Sequence, residues 1–125
     1  MASIRVLLVD DHEPFRRTAA AVVEATDGFV VVGSAASGEE ALAVAEAARP
    51  DLVLMDVNLP GIDGLAATRW LRALARPPAV VLLSTYDADE FDGRAHECGA
   101  IGYLAKSSFG TERLAAMWAL AMSGG

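Results

Sequence analysis

The sequence predicts an α/β domain of (βα)5 type, a five-stranded parallel sheet doubly wound by helices. Three observations lead there. Five short apolar runs recur along the 125 residues, at 4–9, 29–32, 52–55, 79–83 and 101–104. Most are rich in Val, Leu and Ile and do not alternate cleanly with polar residues, the pattern of strands covered on both faces. The stretches after them carry apolar residues at helical spacing, bounded by caps and breakers.

The elements follow in order. After the first run, Glu13-Pro14 opens a helix with Phe15, Ala19, Val22 and Val23 near one face, since proline suits the first turn. After the second, Ser37 and Glu40 form a capping-box pattern ahead of Ala41, Ala45 and Ala48. After the third, Gly64 leads into Ala67, Leu71 and Leu74, and Pro77-Pro78 ends the helix. The fourth helix, 87–98, is the weakest. Its core contacts reduce to Ala88, Phe91, Ala95 and Cys98, and it contains Asp92, Gly93 and His96. An interior glycine costs about 0.5–1 kcal/mol relative to alanine, so this helix is expected to be short and frayed. After the fifth run, Thr111 is placed to cap a helix with Leu114, Trp118 and Ala121 on one face. Residues 1–122 form the expected domain, and 123–125 a tail or the start of a linker.

Composition narrows the function. Asp and Glu total 17 against 10 Lys and Arg, a net charge of −7, which disfavours direct binding of nucleic acid or an anionic membrane by this domain. The single cysteine, Cys98, cannot form an intrachain disulfide and fits a reducing compartment. No apolar run reaches the roughly 18–20 residues of a membrane span. The start, MASIRVLLVDD, lacks the pattern of a signal peptide. A cytoplasmic location is expected.

In an open parallel sheet, ligands sit outside the carboxyl ends of the strands. The residues just past those ends are Asp10-Asp11, Asp56, Ser84-Thr85 and Lys106. If the first and third strands are neighbours, three carboxylates, a hydroxyl and an ammonium face one crevice. Clustered carboxylates repel and call for a cation. Oxygen-only ligands suit Mg²⁺, with Mn²⁺ as the alternative, and no cysteine–histidine set is spaced for zinc. Lys106 is the only lysine and is suited to a phosphate oxygen. Together they read as a phosphoryl-transfer site with a carboxylate nucleophile.

These residues, with the run Leu-Met-Asp-Val-Asn-Leu-Pro-Gly-Ile-Asp-Gly around Asp56 and Gly-Tyr-Leu-Ala-Lys ending at Lys106, resemble the receiver domain of bacterial two-component response regulators. Tyr86-Asp87 and Gly99-Ala100-Ile101-Gly102-Tyr103 look most like receivers of the NarL/LuxR type. The resemblance covers essentially the whole chain. It implies a flavodoxin-like sheet of strand order 2-1-3-4-5. It implies that Asp56 accepts a phosphoryl group from a phosphohistidine on a sensor histidine kinase. Asp10, Asp11 and Asp56 would hold Mg²⁺, Asp10 mainly through water, with the backbone carbonyl of Asn58 as a further ligand. Lys106 would hold a phosphate oxygen. Ser84, chosen over Thr85 by its position relative to Lys106, would be the switch hydroxyl, and Tyr103 the coupled aromatic. The change would pass to the face formed by the fourth helix, fifth strand and fifth helix, or to a dimer interface. A homodimer and a C-terminal DNA-binding output domain absent from this chain are further family features. The chain would catalyse its own phosphorylation and dephosphorylation without turning over an external substrate.

Three departures from the family pattern stand out. Ser107 replaces the proline that often follows the lysine, so a trans Lys106-Ser107 bond is expected. The switch position carries serine rather than threonine. The fourth helix is polar. Tyr86, by its bulk, would slow hydrolysis of the acyl phosphate.

Simpler roles are expected elsewhere. His12 opens the first helix, His96 is a surface or half-buried helix residue, and Cys98 packs near a helix end. Trp70 and Trp118 serve packing or an interface, Arg16 and Arg17 lie on a solvated helix face, and Gly61 and Gly64 serve the turn after the third strand. Competing functions are a degenerate receiver acting as a phosphorylation-independent interaction module, a small aspartyl-phosphate phosphatase, and a flavin or nucleotide binder. The phosphatase reading meets Asn58 where a second acid should stand. The nucleotide reading meets acids where a Gly-rich loop should cradle phosphate, and there is no Gly-x-Gly-x-x-Gly.

Overall fold

The structure is a computed structural model that describes residues 3–85 and 92–123. Among the described residues five strands alternate with five α-helices: β1 (Ile4–Val9), α1 (Glu13–Glu24), β2 (Phe29–Ala35), α2 (Gly38–Ala48), β3 (Leu52–Asp56), α3 (Gly64–Arg72), β4 (Ala79–Ser84), α4 (Asp92–Glu97), β5 (Gly102–Ala105) and α5 (Thr111–Ser123). All strand pairings are parallel and the sheet order is β2-β1-β3-β4-β5, as expected. β1 and β3 are thus neighbours, and the winding reverses between them.

Alternation along each strand divides the core into two layers. Leu7, Val9, Val53, Met55, Val80, Leu82 and Tyr103 pack with Ala41 and Ala45 of α2, Leu65 and Leu71 of α3, and Ala95 of α4. Val6, Leu8, Leu52, Leu54, Val81, Leu83 and Leu104 pack with Ala19 and Val23 of α1 and Leu114 of α5. Both faces are covered, which is why the strand sequences do not alternate with polar residues.

Several expectations shift in detail. β2 runs through Gly33, Ser34 and Ala35, beyond the apolar run, because the ladder to β1 continues past its hydrophobic part. α2 opens with Ser37 Oγ accepting from Glu40 N at 3.1 Å, while Glu40 reaches back to Ala36 N at 2.8 Å, one residue earlier than a standard capping box. α3 is capped by Asp63, whose Oδ1 accepts from Ala66 N at 2.8 Å, and stops at Arg72, so Leu74 lies beyond it. Thr111 is the first residue of α5 rather than its cap, since the Gly110 carbonyl accepts from Leu114 N at 2.9 Å. α4 is six residues long, with Ala95 buried and Cys98 buried just past its end. Ala88, Phe91 and Tyr86-Asp87 lie outside the described residues.

Candidate functional site

Each site residue is delivered by the carboxyl end of a strand or the turn after it. Asp10 follows β1 and keeps its ladder bond, donating from N to the Ala35 carbonyl at 3.0 Å. Its Oδ1 accepts from His12 N at 2.8 Å, an Asx turn that points the chain into α1. The Arg16 guanidinium, one turn along α1, donates to the Asp10 carbonyl. Arg16 is therefore half-buried and tied to the site, not part of a solvated face, whereas exposed Arg17 pairs with Glu13 along the helix.

Asp56 is the last residue of β3. Its Oδ1 accepts from Asn58 N at 3.1 Å. The backbone behind it is held by Val57 N donating to Leu83 O and Gly64 N donating to Val57 O, both at 3.0 Å. The first turn of α3 thereby presses directly on Asp56. A Cβ on Gly64 would lie 2.2 Å from the Asp56 carbonyl oxygen, so glycine is required there by close approach. Gly61, with φ of +74°, is required by the backbone of the preceding turn.

Asp10 and Asp56 are 3% and 4% exposed, while Asp11 is exposed at the rim. Each of the three offers a carboxylate oxygen, and these oxygens lie within 4.8 Å of one another. Lys106 opens a 3-10 turn over Lys106–Ser108 that follows β5. Its Nζ lies 2.5 Å from Asp10 Oδ2 and 3.6 Å from Asp56 Oδ2. Asp10 Oδ2 is buried and has no well-oriented hydrogen bond, so the nearby ammonium is what compensates its charge. The described residues contain no cis peptide bond, so Lys106-Ser107 is trans, as expected.

One ammonium among three carboxylates leaves the cluster negative. The effect registers on Asp56, whose pKa rises from the ordinary 3.8 to about 6. Burial is the main cause, the Asn58 N–H opposes it, the Asp10 charge adds to it, Lys106 opposes, and Asp11 adds again. Two buried acids with a third at the rim, their oxygens close together, are chemically suited to a hard divalent cation.

Ser84 ends β4 and is fully buried, whereas Thr85 is exposed. Its register partner is Ala105, the residue before Lys106, and the preceding Leu83 is the partner of Asp56. Ser84 therefore sits on the strand between those carrying Asp56 and Lys106. Tyr103 is buried in the layer that covers α2, α3 and α4, and its register partner is Leu82, two residues before Ser84. Asn58 is exposed next to Asp56. The fold thus brings Asp10, Asp11, Asp56 and Lys106 together as the sequence predicts.

Phe15 was legible only as an apolar helix position. Its ring centroid is 4.6 Å from Lys106 Nζ, and the ring also meets Phe109, at 6.4 Å between centroids and tilted by 50°. A concavity among the described residues lies elsewhere. About 1030 Å³ in volume, it opens at the amino ends of the strands between Arg49, Pro77, Pro78, Ile101 and Trp118. None of the acids of the crevice at the carboxyl ends lines it.

This arrangement is an acidic crevice with one ammonium at the carboxyl ends of a doubly wound parallel sheet. The sequence profile of the response regulator receiver domain matches residues 6–119, and the chain belongs to that family, the receivers of two-component systems. Response regulator GacA of Pseudomonas viridiflava is 45% identical over 105 residues, 84% of this chain and 49% of that protein. Transcriptional regulatory protein LiaR of Bacillus subtilis is 42% identical over 110 residues, 87% of this chain and 52% of that one. The signal receiver domain of response regulator NarL from Mycobacterium tuberculosis superposes with a TM-score of 0.88 at 32% identity, covering 98% of this chain and 99% of that one. These relatives agree with the NarL/LuxR-like character read from the sequence. The chain spans about half the length of the curated relatives it matches. Receiver domains serve phosphoacceptor signalling with histidine kinases and bind Mg²⁺ at an acidic pocket. No helix among the described residues is long and apolar enough to cross a membrane.

Proposed function

We propose that this chain is a phosphorylation-driven switch whose acceptor is Asp56. The observation that carries the reading is the placement of one buried carboxylate at the end of the central strand, flanked by two further acids and a lysine. An Asp56 carboxylate oxygen attacks the phosphorus of a phosphohistidine on a sensor histidine kinase. The new O–P bond forms as the N–P bond breaks, and the imidazole nitrogen leaves with the electron pair and takes up a proton.

Asp10, Asp11 and Asp56 are the side chains that would hold Mg²⁺, with the Asn58 backbone carbonyl as a further ligand and Mn²⁺ as the alternative ion. The bound ion supplies neutralisation of the phosphoryl oxygens. The chain's own residues do the rest. The Asn58 N–H orients Asp56 through Oδ1, leaving Oδ2 on the Lys106 side. Lys106 exchanges its contact with the carboxylates for a phosphate oxygen. Ser84 donates its hydroxyl to the phosphoryl group, and Tyr103 follows as the coupled aromatic, passing the change to α4, β5 and α5 or to a homodimer interface.

Residues 1–122 would make up the receiver of a cytoplasmic regulator. The length of its relatives and the name of LiaR support a transcriptional output carried by a further C-terminal domain. Incubation with acetyl phosphate and Mg²⁺ should add about 80 Da, one phosphoryl group, to the intact mass. The gain should vanish in Asp56→Asn and on chelation of the metal. An unchanged mass, or a gain that persists in Asp56→Asn, would remove Asp56 as the acceptor.

A further inference from the structure

Among the described residues the ammonium of Lys106 meets two carboxylates and one further group. The third is the face of an aromatic ring on α1. Lys106 Nζ lies 4.6 Å from the Phe15 ring centroid, within the range over which a cation is drawn to a π face. The contact is partly desolvated, because the Lys106 side chain is only 14% exposed and Phe15 is half-buried. Lower exposure strengthens such an attraction.

The ring itself is held on both sides of the chain. Within α1, Arg16 anchors the helix to the Asp10 carbonyl, which sets where the first turn lies relative to the acids. On the other side, the 3-10 turn after β5 returns the chain so that Phe109 N donates to Lys106 O at 3.2 Å. That turn brings Phe109 against Phe15 in a tilted pair. Lys106, Phe15 and Phe109 therefore form one unit, with the ammonium over the Phe15 ring and Phe109 tilted against that ring.

A lysine stem has four freely rotating carbons and reaches solvent easily. The ammonium is drawn by both acids and lies nearer Asp10, at 2.5 Å, than Asp56, at 3.6 Å. A ring face adds a third, directional attraction that narrows the choice. We propose that Phe15 is a positioning residue for the phosphoryl-transfer site, holding the Lys106 ammonium beside Asp56 by a cation–π contact. This rests on the reading of Asp56 as acceptor. It adds that the π electrons of the ring, and not merely its bulk, set the rate.

The test replaces Phe15 with phenylalanines of increasing ring fluorination, which withdraw electron density from the face while nearly preserving shape, alongside Phe15→Trp and Phe15→Leu. Phosphorylation by acetyl phosphate with Mg²⁺ is followed by intact mass, the Lys106 ε-methylene protons by NMR in the metal-free protein, and stability by thermal unfolding. The rate should fall stepwise with fluorination to about a tenth in the most fluorinated protein, with Phe15→Trp retaining activity and Phe15→Leu as slow as the most fluorinated one. The Lys106 ε-protons should be shifted upfield by the ring in the unsubstituted protein, and the unfolding midpoint should be nearly constant across the fluorinated series. Equal rates across that series, or ε-protons at their random-coil position, would overturn the proposal even if Asp56 is phosphorylated normally. Absence of phosphorylation in the unsubstituted protein would instead remove the acceptor reading, and the NMR shift would still decide whether the ring holds the lysine.

Discussion

The two ends of the sheet are built on opposite terms. At the amino ends, polar groups stay at the surface and satisfy one another. Arg5 N donates to Asp51 Oδ2 at 2.9 Å, the Arg5 guanidinium donates to Ala48 O at 2.6 Å, and both residues are exposed. At the carboxyl ends, Asp10, Asp56 and Ser84 are buried, and one ammonium serves two acids. Between these ends the buried strand residues are apolar. Burial of like charges is unfavourable unless something compensates it. The difference therefore locates where this domain gives up stability, and that place is the site. Strain of this kind is expected where a protein must bind an ion and react.

The largest expected effect tests how tightly the site end is packed. Gly64→Ala should cost about 4 kcal/mol or prevent folding, because the new Cβ would collide with the Asp56 carbonyl and the backbone cannot yield cheaply. Gly110→Ala, where a Cβ meets nothing within 4 Å, should change stability by less than about 0.5 kcal/mol in urea unfolding. Comparable losses at the two glycines would break the contrast.

The next effect is electrostatic. The Asp56 carboxyl titrates at about 6 in the folded protein against an ordinary 3.8, so between those values the folded state holds a proton that the unfolded state has lost. Stability of the metal-free protein must then fall as pH rises through that window and level off above it, by about 3 kcal/mol at most. Asp56→Asn should flatten this slope and stabilise the metal-free protein near pH 7.5 by a similar amount. Denaturant midpoints at several pH values, with a chelator present, measure both.

The smallest effect lies at the other end. Arg5→Ala should cost no more than about 1 kcal/mol, since it removes an exposed hydrogen bond to Ala48 whose groups water can satisfy. A loss as large as that at Gly64 would mean that the amino ends also carry a strained constellation.

Much of this contrast was legible in the sequence because it follows from strand ends. Four of the five apolar runs end where Asp10, Asp56, Ser84 or Lys106 begins or soon follows, and a parallel sheet gathers those ends at one edge. Helix positions were less legible. Phe15 and Ala19 look alike as apolar residues of α1, yet only Phe15 meets Lys106, which depends on how α1 crosses to the turn after β5. Arg16 and Arg17 are adjacent and identical, and their fates differ by a rotation of about 100° around the helix. Gly64 was readable as a turn residue, but its close approach to the Asp56 carbonyl exists only once α3 docks on β3. Thr111 misled because a threonine before an apolar face resembles a cap, although the Gly110 carbonyl takes that first bond.

The most direct test of the account is the thermal midpoint of the protein with and without millimolar Mg²⁺ at pH 7.5, beside Asp56→Asn and Asp11→Asn. Three acids served by one ammonium at the carboxyl ends predict that Mg²⁺ raises the midpoint of the unsubstituted protein by mass action and raises those of both variants much less. A midpoint indifferent to Mg²⁺ in the unsubstituted protein, or an equal rise in all three, would contradict the claim that this cluster is held open for a cation.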